Sequence, residues 1–81
     1  MDMYEKVIKK CREILDERRN IYNDQWRFFP VELLLASASY KSWRALMTKE
    51  KEKRLDDIVD AVNYLIFSYE LTEETKQWRK R

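Results

Sequence analysis

The sequence predicts an all-α protein, and three observations carry that reading. Among 81 residues there is no glycine and a single proline, so the tight turns that join neighbouring strands lack their usual residues. The long unbroken segments are rich in Glu, Lys, Leu, Arg and Ala, which favour helix. The apolar residues recur at steps of three and four, the spacing of one helical face. The predicted architecture is a single-domain three-helix bundle. A short C-terminal helix is an alternative for the tail, and homo-oligomerisation is expected to complete the bundle.

The first helix is expected over residues 2–22. Val7, Ile8, Cys11, Ile14, Leu15 and Tyr22 form its apolar stripe, while Glu13 and Glu17 lie opposite and read as a solvated face. Asn23 suits the left-handed C-terminal position that closes such a helix. The link that follows carries Trp26, Phe28 and Phe29. Solvated loops rarely hold three large rings, so the link is expected to fold over the core.

Pro30 then opens a second helix over residues 30–49, where its missing N–H costs little. That helix is apolar nearly all round, which predicts a central position, with one narrow polar stripe of Ser37, Lys41 and Arg44. A third helix is expected over residues 53–71, with a tail over 72–81. Leu55, Ile58, Val59, Val62, Leu65, Ile66 and Tyr69 read as its core stripe. Its other face mixes Asp56, Asp57, Asp60, Asn63, Tyr64 and Phe67, which predicts that this face is covered too. One protomer of three helices cannot hide all of these faces, and a two-fold homodimer is the simplest remedy.

Composition narrows the function classes. One cysteine allows no internal disulfide, and a chain with no histidine offers little to zinc. The charge of +2, from 17 basic and 15 acidic residues, is too balanced to argue for nucleic acid, and the basic tail from Lys76 to Arg81 with Trp78 leaves that partner only as a weaker option. No apolar run approaches the roughly 20 residues that span a bilayer. The order Met1 to Lys6 is not that of a signal peptide, so the cytoplasm is expected. Cys11 lies on a core stripe with no base to activate it and reads as a small buried hydrophobe.

Three groups of polar residues stand out. Asp56, Asp57 and Asp60 lie within one turn, and carboxylates so placed suit a hard dication such as Mg²⁺. Lys41 and Arg44, one turn apart on an apolar helix, need partners wherever they are buried. Either they neutralise Asp57 and Asp60, or they hold a ligand's phosphates beside a metal. Tyr22, Asp24 and Trp26 offer rings to stack on a base and an acceptor for a sugar, or else a helix cap with a core lid. Asn63 and Tyr64 flank the acidic turn as further candidates.

Three segments in order carry a resemblance: Glu17-Arg18-Arg19 through Tyr22-Asn23-Asp24-Gln25-Trp26, then Tyr40-Lys41-Ser42-Trp43-Arg44-Ala45, then Leu55 through Phe67. Over roughly residues 13–69 the chain resembles the nucleotide modification associated domain 1 family. That is a group of small α-helical domains of phages and mobile elements, similar in outline to the MazG-like nucleotide pyrophosphohydrolases. The resemblance implies that Lys41, Arg44, Asp57, Asp60 and Tyr64 occupy motif positions, with Tyr22 and Asp24 on the turn. It implies a domain that binds a nucleoside phosphate with Mg²⁺, in a host cytoplasm if the source is viral. Metal-assisted attack of water on a nucleoside triphosphate is the reaction to expect if there is one. Asn23 stands where the family has glycine, and the Glu-Glu-x-x-Glu metal motif of MazG enzymes is absent. The competing reading is a non-catalytic helical interaction module whose Asp and Lys/Arg residues form a structural ion-pair network.

Overall fold

A computed structural model describes residues 2–22 and 25–74, with the side chains of residues 19–22, 25 and 26 outside the description. It contains helix α1 (Met3–Tyr22), a single 3-10 turn (Gln25–Phe28), helix α2 (Val31–Met47) and helix α3 (Lys51–Glu74). There is no strand among the described residues. The all-α, three-helix architecture expected from the missing glycines is therefore present. Helix α3 starts two residues before the expected position and continues to Glu74, and the tail beyond it lies outside the described residues.

Each helix begins or ends for a local reason. Asp2 Oδ1 accepts the Glu5 backbone N–H at 2.8 Å, satisfying one of the orphan donors of α1. Pro30 precedes α2 in an extended conformation (φ −60°, ψ 145°), and its carbonyl accepts from Leu33 and Leu34. At the far end Thr48 turns extended. The Arg54 guanidinium reaches back from α3 to donate to the Ala45 and Thr48 carbonyls, both at 2.9 Å. A side chain of α3 thus closes the C-terminus of α2 and fixes the turn between them.

The interior is small. Leu34 and Phe67 form its buried nucleus, with Leu15, Tyr64 and Leu71 packed against it. Ala38, Ala45, Ala61 and Ser68 are also buried, and residues of that size let α2 and α3 approach closely. α1 lies against α3, where the Asn63 side-chain N–H donates to the Cys11 carbonyl at 3.1 Å.

Three expectations about packing are corrected. The supposed core stripe of α3 faces outward: Leu55, Ile58, Leu65, Ile66 and Tyr69 are exposed, and only Val59 of that set is buried. In its place the polar face turns inward, with Asp57, Asp60, Asn63 and Ser68 buried. Periodicity defines two faces on this helix, and the cations of α1 and α2 draw the acidic one inside. Helix α2 is not central either: Leu33, Leu35, Tyr40, Trp43, Leu46 and Met47 are exposed, while Leu34, Ala38 and Ala45 are buried.

Two rings of the aromatic link, Phe28 and Phe29, are exposed rather than folded over the core, and the Trp26 side chain lies outside the described residues. Arg27 explains this. It pairs with Glu70 at 2.8 Å and Glu74 at 3.2 Å, with Glu74 and then Glu70 holding the guanidinium in its charged form. In a 3-10 turn the next residue points about a third of a circle away, which carries Phe28 off α3. Among the described residues no helix is long and apolar enough to cross a membrane.

Candidate functional site

The polar stripe of α2 and the acidic turn of α3 meet. Lys41 Nζ lies 3.0 Å from Asp60 Oδ2 and 3.9 Å from Asp57 Oδ1, and Arg44 Nε lies 3.4 Å from Asp57 Oδ2. α1 supplies a third cation, with Arg18 Nη1 2.6 Å from Asp60 Oδ1. That last contact sets charge against charge without a directed bond, because Asp60 Oδ1 has no aligned hydrogen-bond donor among the described residues.

The arrangement is lopsided in burial. Asp57 and Asp60 are 3% and 6% exposed, whereas the Arg18 and Arg44 side chains are 47% and 45% exposed. The carboxylates sit inside and the guanidinium groups sit at the mouth. An isolated buried carboxylate is very costly, so Asp57 and Asp60 need these cations. The reverse does not hold, since a half-exposed guanidinium has water. Each arginine carries five N–H donors in a fixed fork and spends few of them on its aspartate. Among the described residues, three cations against two carboxylates leave one positive charge in excess.

The surroundings add a groove and a ring. An open groove of about 290 Å³ is lined by Arg44, Met47, Thr48, Lys53 and Asp57, so it opens on the Arg44–Asp57 side of the cluster and adds Lys53 there. The Arg44 guanidinium also lies 5.8 Å from the centre of the exposed Tyr40 ring, which stacks on Trp43 at 6.4 Å.

The structure thus brings Lys41, Arg44, Asp57 and Asp60 together. Asp56 is exposed and outside the cluster, because its one-residue offset from Asp57 turns it about 100° around α3. Asn63 is buried in its bond to α1, and Tyr64 is packed against the Leu34–Phe67 nucleus. Asp24 lies outside the described residues, as do the side chains of Tyr22 and Trp26. Arg18 is the member that sequence reasoning missed. Its signal was present, since it falls three residues after Leu15 and seven after Cys11, on the apolar stripe of α1. A charge on such a stripe announces a partner across the interface.

Asp57 and Asp60 are the carboxylates that a divalent ion would use here. No group of three or more His, Cys, Asp or Glu side chains that could hold a metal exists among the described residues. Asp57 and Asp60 offer two carboxylates, and Asp60 Oδ1 still lacks a directed donor. Two carboxylates plus water suit Mg²⁺ better than any other common ion. With a cation already facing each oxygen, a bare dication gains little there, whereas one arriving with phosphates brings its own counter-charge. Cys11 lies outside this site, since its side chain is buried and its carbonyl accepts from Asn63, and burial raises its thiol pKa. No family model, curated protein or solved structure matches the chain.

Proposed function

We propose that the Arg18, Lys41, Arg44, Asp57 and Asp60 cluster binds a nucleoside phosphate, with Mg²⁺ entering alongside the phosphate groups. The observation that supports this most is the inverted burial of the pairs: buried carboxylates face half-exposed arginines, and one such pair, Arg44 with Asp57, lines an open groove. Preorganised guanidinium donors are what phosphate oxygens need, and they bind them in charge-assisted, often bidentate fashion. Asp57 and Asp60 then have two roles, ordering the cations and lending oxygens to the metal of the incoming ligand. The exposed Tyr40 ring beside Arg44 offers a surface on which a base can stack. The resemblance to the nucleotide modification associated domain 1 family at Lys41, Arg44, Asp57 and Asp60 fits modified-nucleotide metabolism in a phage or mobile element, and a cytoplasmic setting. Hydrolysis is a separate matter, because the Glu-Glu-x-x-Glu metal motif of MazG enzymes is absent from the sequence.

The second reading is a structural ion-pair network in a helical interaction module. The 3.0 Å and 3.4 Å contacts of Lys41 and Arg44 support it, since both cations already have partners. Under either reading the chain works as a homo-oligomer, most simply a dimer, in keeping with the apolar surface that the protomer leaves exposed.

Calorimetric titration with a nucleoside triphosphate and Mg²⁺ separates the two. Arg44→Gln and Arg18→Gln each take one cation from a buried carboxylate that Lys41 still faces, so circular dichroism and a melting curve first establish that each variant is folded. Each is expected to weaken binding roughly ten- to hundredfold, the worth of a hydrogen bond to a charged group. Equal affinity in parent and both variants, or no binding heat in the parent, rules the nucleotide reading out.

A further inference from the structure

Among the described side chains of α1 only Cys11 is buried, with Ile8, Ile14 and Leu15 half-buried and the others exposed. Leu15 packs against the Leu34–Phe67 nucleus. Two polar contacts tie the helix to α3: the Cys11 carbonyl accepts from Asn63 at 3.1 Å, and Arg18 faces Asp60 at 2.6 Å. The α2–α3 pair is bound more fully. Leu34, Ala38 and Ala45 are buried on α2, Lys41 and Arg44 meet Asp60 and Asp57, and Arg54 closes the end of α2 from α3. The ties of α1 also have substitutes. With α1 away, Asp60 keeps Lys41 at 3.0 Å, Arg18, already 47% exposed, hydrates fully, and Asn63 and the Cys11 carbonyl turn to water. A helix with few buried apolar groups and replaceable polar ties opens at lower cost than the pair it leaves.

We propose that α1 is the closing arm of the site: it opens from the α2–α3 pair as a unit, and a nucleoside phosphate gripped by Arg18 holds it shut. This rests on the nucleotide reading, because only a ligand that touches Arg18 tells the open and closed states apart. Arg18 is the cluster's one cation from α1, while Lys41 and Arg44 come from α2. With the arm open a ligand meets the α2 cations alone. With it closed the ligand gains the guanidinium fork of Arg18 as well. The 2.6 Å contact to Asp60 Oδ1 is not an aligned hydrogen bond, which leaves that fork to phosphate oxygens.

Linkage fixes the size of the effect. The factor by which Arg18 improves affinity is also the factor by which bound ligand favours the closed arm. A hydrogen bond to a charged group is worth roughly ten- to hundredfold in affinity, so the opening of α1 falls by that factor at saturation. Removing Arg18 abolishes the effect, since the ligand then binds the open and closed states equally.

Amide hydrogen exchange on the full chain, followed by NMR, tests this. Calorimetry with the common ribonucleoside triphosphates and Mg²⁺ first selects the one that releases the most heat. In the free chain the amides between Val7 and Arg18 are expected to exchange at least about tenfold faster than those around Leu34 and Phe67. The selected triphosphate at saturation slows the α1 amides about ten- to hundredfold. In Arg18→Gln, at ligand levels that saturate the variant, they change by no more than about twofold. No binding heat from any triphosphate overturns the nucleotide reading and the closing arm with it. Binding heat with unchanged α1 exchange overturns the closing arm alone and leaves the nucleotide reading standing. A single exchange rate shared by α1 and α3 in the free chain overturns the arm as a separate unit. Protection of α1 that persists in Arg18→Gln overturns the part given to Arg18, and the parent measurements decide the rest even where that variant does not fold.

Discussion

Replacing Asp60 by Asn is the sharpest perturbation of the cluster. The side chain keeps its shape, so no cavity forms, and the change removes only the charge that faces Arg18 at 2.6 Å and Lys41 at 3.0 Å. Breaking a buried ion pair from one side costs about 3–5 kcal/mol when the orphaned charge stays buried. Arg18 is half exposed and rehydrates, which reduces its share. Lys41 is only 22% exposed and keeps Asp57 at 3.9 Å as a distant partner, so most of the cost falls there. The expected loss is about 2–3 kcal/mol, a large fraction of the roughly 4–12 kcal/mol that a domain of this size possesses.

Urea unfolding followed by far-ultraviolet circular dichroism reads this directly. With a slope of about 1 kcal/mol/M, the midpoint falls by about 2 M or more. Protein concentration is held fixed, because self-association adds to apparent stability. Asp56→Asn, one residue away and exposed, serves as the control and shifts stability by no more than about 0.5 kcal/mol. Superimposable curves for Asp60→Asn and Asp56→Asn would refute the reasoning that the cations hold α3 with its acidic face inward.

Two further outcomes follow from the α1–α3 contact. Asn63→Ala removes the bond to the Cys11 carbonyl and costs about 1–2 kcal/mol, which lowers the melting temperature by about 5–10 °C; an unchanged melting temperature removes Asn63 as the link between those helices. Burial raises the Cys11 thiol pKa in the folded chain, so its contribution is fully present below the ordinary thiol range. The contribution is lost as pH rises through and above that range, where the unfolded chain ionises first. Alkylation near neutral pH is therefore expected to be slow and to accelerate in urea, and rapid modification without urea would contradict the burial of Cys11.

The sequence made the helices legible because helix formation is a local matter: no glycine, one proline, and apolar steps of three and four. It also made Lys41, Arg44, Asp57 and Asp60 legible as a set, since a charged pair on an apolar helix requires an opposite pair across the interface. Which face of α3 turns inward was not legible. Both faces satisfy the same period, and the choice depends on what α1 and α2 present to it. Arg18 supplies part of that answer from forty-two positions away in sequence. The pairing of Arg27 with Glu70 and Glu74 is a surface ion pair that no local pattern encodes. The exposure of Phe28 follows from that pairing, which is why a link with three rings misled the expectation of a lid.

The nucleoside-phosphate reading is tested most directly by a backbone amide NMR titration of the parent chain with nucleoside mono- and triphosphates, each with and without Mg²⁺. The account predicts shifts clustered at Arg18, Lys41, Arg44, Asp57 and Asp60, larger for the triphosphate and larger again with Mg²⁺. An absence of shifts at millimolar ligand, or shifts scattered over the surface lysines without the cluster, would contradict it and leave these residues as an internal ion-pair network.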